Sequence, residues 1–424
     1  MNILKKINSN KIKIGIVGLG YVGLPLLLGF GNKGVNVVGF DIDIKKINML
    51  KLGKSYINHI KLHNIHKKKK VTFTNNFKII SEVDLIVLCV PTPLSKNKLP
   101  DLSYIKKTLL SIKDHLREHQ TLSLESTTYP GTTREIIYPI IKNKFKVGKN
   151  FYLVYSPERE DPGRKDILLK NIPKVLGGFS NKCRIIGKSF YQKLFKQIVL
   201  TKNLETAEFT KIYENVFRAV NISLVNEVKT FSRKMNVNFN DVVKASSTKP
   251  FGFMPFYPGP GIGGHCIPID PLYLSYRAKR EGINMSLINT SFQINYKTTK
   301  EISKTILNKI KNKRPKILII GIAYKKNIDD IRESPALKII SDLKIKNVNV
   351  NYHDPYIKFL PKNRNYYAKL YSIKLNKTNI SHYDGILVCT DHDNIDYKMI
   401  YKNAKLIFDT RNVYKFDSEK IIRI

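Results

Sequence analysis

The residues with the clearest chemical potential lie in a loop of prolines and glycines at positions 250–273. This composition predicts neither regular helix nor strand there. Cys266 follows two glycines, which would let a ligand come close to its sulfur, and His265 and Asp270 lie nearby in the sequence. A loop cysteine beside a histidine and a carboxylate is a candidate nucleophile. A purely structural loop, or a metal site using His265 and Cys266, would give a similar pattern, although no other metal ligands cluster nearby and no metal is expected.

A glycine motif near the start of the chain indicates phosphate binding. Residues 11–17 are typical of a short buried strand, and Gly18, Gly20 and Gly23 follow in the spacing G-x-G-x-x-G before a helix. Gly18 permits a tight turn, Gly20 lets the backbone approach a pyrophosphate, and Gly23 lets the helix pack on the strand. The helix N-terminus adds N–H donors and the positive end of its dipole. The motif therefore predicts a dinucleotide site, although a glycine-rich helix cap would look similar.

Asp41 indicates which dinucleotide binds. It directly follows a second predicted strand at residues 35–40. A carboxylate at this place accepts a hydrogen bond from the ribose 2′-hydroxyl and repels a 2′-phosphate, so NAD is favoured over NADP. Asp43 would strengthen that repulsion. The remaining candidates for cofactor binding are Tyr21, Val22, Lys46 and Thr92.

Polar side chains follow three further predicted strands of the first third. The strands cover residues 83–90, 121–124 and 151–155. Thr92, Thr127 and Glu158 lie just after their carboxyl ends. Because functional groups of a parallel sheet collect at that edge, these three side chains are expected to face one crevice. Ordinary strand-end turns use the same residue types, so no single one is decisive.

A long amphipathic helix is predicted over residues 206–234, because apolar residues recur there at spacings of three and four. Lys211, Asn215 and Arg218 fall on the opposite face. The periodicity favours solvent exposure for that face, although it would also suit a face turned toward another domain.

The last third repeats the alternation of strands and helices. Predicted strands cover residues 316–320, 348–353, 385–389 and 406–409. Their order predicts a second doubly wound domain, but without G-x-G-x-x-G. Lys325 and Arg332 lie in the loop after its first strand and suit an anionic ligand. This domain is therefore expected to bind a different nucleotide or phosphate.

The composition limits the function classes. With 424 residues, two or three domains are expected, and 42% hydrophobic residues exclude wholesale disorder. Lys and Arg number 74 against 33 Asp and Glu, a net charge of +41 that invites a nucleic-acid or anionic-surface partner. The lysines are dispersed, with one dense run at residues 67–70, which is more typical of biased composition on solvated faces.

Other features favour a cytoplasmic protein. The four cysteines lie far apart without C-x-x-C, which fits a reducing compartment and neither a disulfide framework nor a zinc site. A basic start followed by an uncharged run at residues 14–31 resembles a signal peptide, but its six glycines and Pro25 argue against one. No stretch is predicted to span a membrane.

Seven segments in collinear order resemble the UDP-glucose/GDP-mannose dehydrogenase family. They are GIVGLGYVGLP (15–25), VPTPL (90–94), LESTTYPGTT (124–133), SPERE (156–160), TKIYENVFRAVN (210–221), GPGIGGHCIPIDP (259–271) and GIAYKKNIDDIRESPA (321–336). The resemblance implies an α/β fold of two doubly wound Rossmann-like domains joined by a central long-helix region. It implies an NAD-binding domain at 1–200, a central domain at 201–300 with the cysteine loop and a dimer interface, and a UDP-sugar-binding domain at 301–424.

The same resemblance implies a reaction and assigns residue roles. The family takes the C6 alcohol of a nucleotide sugar through an aldehyde to a carboxylate with two NAD. Cys266 would add to the aldehyde, and Lys211 and Asn215 would stabilise the oxyanion. Glu158 would serve in hydrolysis, while Asp270 and Thr127 would hold the water. The residues implied for substrate binding are Tyr257, Gly261, Lys325 and Arg332.

The substrate follows from details of the motifs. FYPGPGIGGHCIPIDP and STTYPGTT are most similar to the branch that oxidises UDP-N-acetylhexosamines, so UDP-N-acetylglucosamine is expected. UDP-glucose enzymes usually have Lys-Asp where this chain has Ile269 and Asp270. UDP-GalNAc, UDP-ManNAc and UDP-glucose remain alternatives, since the sugars differ at C2 and C4. A non-enzymatic alternative is a basic protein that binds nucleic acid or an anionic surface, which predicts salt-sensitive retention on heparin.

Overall fold

The computed structural model of the chain describes residues 3–57, 60–62, 68–160, 168–360 and 369–424. Lys67 of the basic run 67–70 lies outside these residues. The chain forms two compact units. The first comprises residues 1–214 and 272–283, and the second comprises residues 215–271 and 284–424.

An eight-stranded sheet forms the centre of the first unit. Its strands are β1 Lys13–Val17, β2 Asn36–Phe40, β3 Val71–Thr74, β4 Leu85–Leu88, β5 Thr121–Leu124, β6 Tyr152–Tyr155, β7 Lys174–Gly178 and β8 Ile198–Leu200. Their order is β3-β2-β1-β4-β5-β6-β7-β8, and neighbours are parallel except β6 and β7. Uninterrupted runs of Ile, Val and Leu bury most of these strands on both faces, as parallel sheets require.

Short helices cover this sheet. They are α1 Ile3–Asn8, α2 Gly23–Asn32, α3 Ile44–Lys51, α4 Ser103–Ile112, α5 Tyr138–Ile141 and α6 Asn181–Tyr191, with a π-helical turn at Thr133–Ile137. Leu27 and Phe30 of α2, with Ile186 and Phe190 of α6, belong to the same buried core as Ile14 of β1. These apolar side chains hold the carboxyl ends of the strands in fixed places.

The second unit contains a smaller parallel sheet. Its strands are β9 Lys316–Ile320, β10 Asn349–His353, β13 Gly385–Val388, β14 Ile407–Asp409 and β15 Ile421–Arg423, in the order β10-β9-β13-β14-β15. A separate antiparallel pair consists of β11 Phe359–Leu360 and β12 Leu370–Tyr371. The helices are α8 Phe239–Ser246, α10 Ser286–Lys309, α11 Pro335–Ile345, α12 Lys377–Ser381 and α13 Tyr397–Asn403. Two further helices, α7 Leu204–Lys234 and α9 Asp270–Arg280, contain boundaries between the units.

The predicted α/β class with two Rossmann-like sheets is confirmed. Every strand expected from hydrophobic runs is present, whereas β3, β7, β8, β11, β12 and β15 were missed. The prediction that residues 250–273 contain no helix is wrong from Asp270 onward, where α9 begins. Proline is tolerated at the first turn of a helix, because the N–H that it lacks would have no intrahelical partner there, so Pro271 does not prevent this start.

The predicted orientation of the long helix needs correction. Lys211 and Asn215 were expected on a solvent-exposed face, but they are only 8% and 4% exposed, whereas Arg218 is exposed as predicted. Ile212 and Val216 are buried, but six apolar side chains of the expected core stripe are exposed. They are Phe209, Tyr213, Phe217, Leu224, Val228 and Phe231. Periodicity identifies a helix but cannot tell which of its faces is covered when polar side chains find hydrogen-bond partners.

None of the described helices combines the length and apolar character needed to cross a membrane.

Candidate active site

The glycine turn after β1 has the geometry that the motif predicts. Gly18 adopts a positive φ of 91°, and a side chain there would meet the carbonyl of Cys89 at 2.7 Å. A Cβ on Gly23 would come within 1.9 Å of the Gly18 carbonyl oxygen. At Gly20, by contrast, a Cβ would have no atom within 4 Å. Gly18 and Gly23 thus close the turn, and Gly20 leaves open space beside its backbone, as the approach of a pyrophosphate would require.

Asp41 lies against this turn. Its Oδ2 accepts a hydrogen bond from the backbone N–H of Leu19 at 3.0 Å, and its Oδ1 accepts one from the N–H of Asp43 at 3.0 Å. Each carboxylate oxygen has a second lone pair, so a ribose hydroxyl can still bind. The carboxylate of Asp43 instead caps α3 by accepting from the N–H of Lys45 at 2.9 Å. The buried Asp41 therefore fits the ribose-binding role, while Asp43 has a structural function as well.

The other cofactor candidates surround Asp41 and the turn. Tyr21 and Val22 are half-buried just before α2, for which Val22 is the N-cap. The ammonium of Lys46 lies 3.8 Å from Asp41 Oδ2 and 5.5 Å from the centre of the Tyr56 ring. Burial, followed by the charges of Asp41 and Asp43, raises the pKa of the Tyr56 hydroxyl, which donates to the carbonyl of Leu19.

Thr92 and Thr127 come together as predicted for residues at neighbouring strand ends. The hydroxyl of Thr92 donates to the carbonyl of Thr127 at 2.8 Å, and the Thr92 carbonyl accepts from the Tyr273 hydroxyl at 2.9 Å. Thr92 is buried and Thr127 is half-buried. The loops after β4 and β5 are thus joined directly.

Glu208, which the sequence did not single out, anchors the loop after β5 to α7. Its carboxylate accepts from the N–H of Gly131 at 2.5 Å, and from the N–H and hydroxyl of Thr133 at 2.8 and 2.6 Å. Glu208 is completely buried and lies one helical turn before Lys211. The position of Lys211 along α7 is therefore tied to the loop that contains Thr127.

Glu158, at the end of β6, remains ionised. Its Oε1 accepts from the backbone N–H groups of Arg159 and Glu160, both at 2.7 Å, and its Oε2 lies 3.4 Å from the ammonium of Lys174. Burial would raise the pKa of Glu158, but Lys174, the two N–H groups and the charge of Lys211 together hold it below its usual value. Glu158 and Lys211 are thus electrostatically coupled within the first unit.

Cys266 is held by the start of α9 in the second unit. Its carbonyl accepts from the N–H groups of Ile269 at 3.1 Å and Asp270 at 2.9 Å. The Asp270 carboxylate accepts a 2.5 Å hydrogen bond from the side-chain amide of Asn215. Asn215 and Asp270 are both buried. Asn215, 55 positions before Asp270, is thereby joined through Asp270 to the frame of hydrogen bonds around the cysteine backbone.

The glycines before Cys266 pack against another loop of the same unit. A Cβ on Gly263 would lie 2.6 Å from the Cβ of Tyr324, and Gly264 has a φ of 87° with the Tyr324 ring beside it. The N–H of Gly264 donates to the Arg332 carbonyl at 2.9 Å. The sequence suggested that glycine is needed here to let a ligand approach. The structure shows a second reason, since a side chain at either position would crowd the loop after β9.

His265 is unsuited to act as a cation near the cysteine. Burial, followed by the charge of Arg332, lowers its pKa below the usual value, although Asp330 and Glu333 oppose the shift. The imidazole is therefore neutral at physiological pH.

The four predicted substrate-binding residues all lie in the second unit. Lys325 is half-buried in the loop after β9, and the Arg332 guanidinium of the same loop bonds Asp330 Oδ2 at 2.6 and 3.0 Å. Gly261 has a φ of 131° that only glycine adopts easily, and Tyr257 is 56% exposed. Arg332 thus presents an anion-binding group whose direction is set by an acidic neighbour.

The second sheet repeats the aspartate at the end of its second strand. Asp354 follows β10 and accepts from the N–H groups of Ile322 at 2.7 Å and Ala323 at 3.2 Å. His392 Nε2 lies 3.2 Å from the same oxygen, and both side chains are fully buried. A ribose cannot reach this carboxylate. The absence of a dinucleotide motif from this domain therefore agrees with its geometry.

Within the residues the structure describes, no group of three or more His, Cys, Asp or Glu is arranged to hold a metal ion.

Comparison with known proteins decides the family. Models of the UDP-glucose/GDP-mannose dehydrogenase family match three successive segments of the chain. The NAD binding domain matches residues 12–198, the central domain residues 205–297, and the UDP binding domain residues 318–416. The chain belongs to the UDP-glucose/GDP-mannose dehydrogenase family. It is an NAD-dependent nucleotide-sugar dehydrogenase, which confirms the predicted enzyme class and cofactor.

Relatives with named activities cover nearly the whole chain. UDP-N-acetyl-D-glucosamine 6-dehydrogenase of Salmonella typhi is 31% identical over 95% of this chain and 97% of its own length. UDP-N-acetyl-D-mannosamine dehydrogenase of Methanococcus vannielii is 33% identical over 97% of this chain and 95% of its own. The solved structure of UDP-D-ManNAc dehydrogenase from Pyrococcus horikoshii superposes with a TM-score of 0.86 at 29% identity, covering 97% of this chain and 98% of that one.

Replacing Asp41 by asparagine is expected to weaken NAD binding about tenfold, because a hydrogen bond to a charged group is worth roughly 1.5 kcal/mol or more. Loss of the negative charge also reduces the preference for NAD over NADP. Isothermal titration of both cofactors measures the two effects. Asp43→Asn is the matched control, since asparagine caps a helix as well as aspartate and NAD affinity should stay unchanged. Equal NAD affinity of Asp41→Asn and wild type would contradict the assignment.

Proposed function

We propose that this chain is a cytoplasmic enzyme that oxidises the C6 alcohol of a UDP-N-acetylhexosamine to the carboxylate. The expected substrate is UDP-N-acetylglucosamine. The observation that carries the proposal is the frame around Cys266, in which Asn215 and Asp270 are joined at 2.5 Å and the first N–H of α9 bonds the cysteine carbonyl. Such a frame is expected where a nucleophile must be held in one orientation through several chemical steps.

The first half of the reaction converts the alcohol to an aldehyde. The buried ammonium of Lys211 stabilises the negative charge that develops on the C6 oxygen, and the Asn215 amide assists. Bound NAD would supply the hydride acceptor, one molecule for each of the two oxidation steps. Gly18, Gly20, Gly23 and Asp41 hold its pyrophosphate and ribose.

The second half requires a covalent bond to the enzyme. The Cys266 thiolate adds to the aldehyde carbon and gives a thiohemiacetal, whose oxidation leaves a thioester. Water then attacks the thioester carbonyl. Glu158 takes a proton from that water, while Asp270 and Thr127 hold it in place. The carboxylate product leaves, and the thiolate is regenerated.

The second unit supplies the groups that bind the nucleotide. Lys325 and Arg332 neutralise the diphosphate, and Tyr257 and Gly261 line the path of the sugar and phosphates. The pairing of Arg332 with Asp330 at 2.6 Å supports this role, because it orients the planar guanidinium.

The order of the family matches supports three domains, an NAD-binding domain at 1–200, a central domain at 201–300 and a UDP-sugar-binding domain at 301–424. The row of six exposed apolar side chains on α7 supports a homodimer built on this helix. An exposed apolar row of this extent is typical of protein interfaces.

A panel of UDP-sugars, assayed by NADH absorbance, tests the proposal. UDP-N-acetylglucosamine is expected to give the highest kcat/KM and two NADH per sugar. UDP-N-acetylmannosamine is the second candidate, because relatives with that named activity cover the chain equally well. UDP-GalNAc and UDP-glucose complete the panel. A higher kcat/KM for another sugar would move the substrate assignment, and a stoichiometry of one NADH would overturn the four-electron reaction.

A further inference from the structure

A buried lysine that the mechanism does not use lies beside Glu158. The ammonium of Lys174 is 2.7 Å from Glu125 Oε2 and 3.4 Å from Glu158 Oε2. The side chains of Lys174 and Glu125 are 2% and 0% exposed, and that of Glu158 is 12% exposed. Three charges are rarely buried together, and one lysine between two carboxylates leaves the cluster with an excess negative charge.

The topology of the first sheet explains how these residues meet. Glu125 directly follows β5, and Glu158 lies three residues beyond the end of the parallel strand β6. β7 runs antiparallel to β6, so its first residue, Lys174, lies at the edge where β5 and β6 end. This reversal brings a cation to the carboxyl edge of the sheet, where the strand-end residues of the proposed site are found.

Glu125 is itself fixed from two sides. Its Oε1 accepts a 2.6 Å hydrogen bond from the Tyr191 hydroxyl, which is 2.8 Å from the hydroxyl of Ser123. The Lys174 ammonium also lies 5.5 and 5.2 Å from the ring centres of Tyr191 and Phe195. Lys174 therefore cannot move away from Glu158 without breaking its bond to Glu125.

We propose that Lys174, anchored by Glu125, is a positioning residue that keeps Glu158 ionised and correctly oriented for hydrolysis of the Cys266 thioester. The inference rests on the proposed function, in which Glu158 takes the proton from water. Lys174 contacts only Oε2 of Glu158, while the backbone N–H groups of Arg159 and Glu160 bind Oε1. Both oxygens of the carboxylate are thus held.

The ionisation of the cluster is asymmetric. Burial raises the pKa of Glu125, and the opposing effect of Lys174 is too small to cancel this rise. Burial would also raise the pKa of Glu158, but Lys174 and the two N–H groups outweigh it, so that pKa is lowered. The pKa of Lys174 is raised despite burial, mainly by Glu125 and Glu158. A proton that enters the cluster therefore binds Glu125 first, and Glu158 stays a carboxylate at lower pH.

Two neutral titratable groups also face this cluster. Burial raises the pKa of the Cys89 thiol and of the Tyr191 hydroxyl well above their usual values, so both stay neutral. The charged groups in and around the cluster are Glu125 after β5, Lys174 of β7, Lys211 of α7, Glu158 with its neighbours Arg159 and Glu160, and Glu214 of α7, which pairs with Arg159 at 2.6 Å. Removing the Lys174 charge raises the pKa of Glu158, so the acidic limb of kcat moves to higher pH.

The test compares Lys174→Met and Lys174→Arg with wild type by the pH profile of kcat, using the best UDP-sugar of the panel. Lys174→Met is expected to move the acidic limb up by about one pH unit or more, and Lys174→Arg should restore it. Rapid quenching followed by intact-protein mass spectrometry should show the acyl thioester of Cys266 accumulating in Lys174→Met. Lys6→Met is the matched control, because Lys6 pairs with the buried Asp84 at 2.6 Å in the same unit.

A folded Lys174→Met enzyme whose kcat has the same acidic limb as wild type would overturn the inference. So would a Lys174→Arg enzyme whose acidic limb is shifted as far as that of Lys174→Met. If Lys174→Met does not fold, Lys174→Gln decides, because glutamine keeps hydrogen-bond donors for Glu125 and Glu158 but carries no charge, so the acidic limb should still move to higher pH. A folded Lys174→Gln enzyme with the wild-type acidic limb would contradict the inference. Failure of the proposed function is a separate result, namely a wild-type enzyme that forms no acyl thioester and makes no NADH with any UDP-sugar.

Discussion

Replacement of Cys266 by alanine is expected to abolish steady-state NADH formation with UDP-N-acetylglucosamine, a loss of at least about a thousandfold. An aldehyde does not release its hydrogen as hydride until a nucleophile has added to its carbon, because the oxyanion of the adduct then supplies the electron pair that re-forms the carbonyl bond. Without the thiolate, the reaction stops after the first, reversible oxidation. NADH absorbance under steady-state and single-turnover conditions measures both oxidations.

NAD binding provides the internal check on this variant. The candidate NAD residues lie in the first unit and Cys266 in the second, so the affinity for NAD measured by isothermal titration should equal that of wild type. Cys183→Ala is the matched control, because Cys183 is a buried free cysteine in α6 of the first unit and should leave kcat intact. Turnover of Cys266→Ala within tenfold of wild type would exclude the thioester mechanism.

The dinucleotide site could be predicted from sequence because its contacts are local. Gly18, Gly20 and Gly23 act through backbone conformation, which depends on residue type and spacing alone. Asp41 could be chosen as a candidate because it directly follows a predicted strand, which the structure contains as β2. The structure adds the hydrogen bond from the Leu19 N–H, which explains why the carboxylate is held against the turn.

The long helix shows where local pattern fails. Periodicity placed Lys211 and Asn215 on a solvent-exposed face, and only the resemblance to a family gave them a function. Both are buried because contacts distant in sequence cover them, such as the hydrogen bond from Asn215 to Asp270. The apolar side chains of the same helix were expected in a core, but six of them are exposed. The same apolar periodicity suits a protein interface as well as a core, so the pattern alone does not distinguish the two.

The cluster around Glu158 was beyond sequence reasoning for a topological reason. Glu125 follows a predicted strand, but Lys174 is the first residue of β7, a strand that the sequence pattern did not predict and that runs antiparallel to β6. Lys174 and Glu125 are 49 positions apart, and Tyr191 and Glu125 are 66 apart. A buried lysine looks like any other in a chain with 74 basic residues, so only the sheet order distinguishes it.

Lys211→Met is expected to reduce kcat by about a hundredfold to a thousandfold, because loss of one preorganised donor to an oxyanion typically costs that much. Methionine keeps most of the volume of the lysine stem, so the buried packing of α7 is retained. The charge of Lys211 also helps to lower the pKa of Glu158, so its removal should shift the acidic limb of kcat upward as well.

The two effects of Lys211 separate by reaction step. Loss of oxyanion stabilisation slows the first hydride transfer, which single-turnover NADH absorbance resolves, whereas a protonated Glu158 slows only hydrolysis of the thioester. Lys211→Met should therefore have a slow first hydride transfer at every pH. Lys174→Met should have a normal first hydride transfer and a thioester hydrolysis whose rate depends on pH. Lys234→Met, an exposed position at the end of the same helix, is the control. A normal first step in Lys211→Met would assign Lys211 to the ionisation of Glu158 and not to the oxyanion.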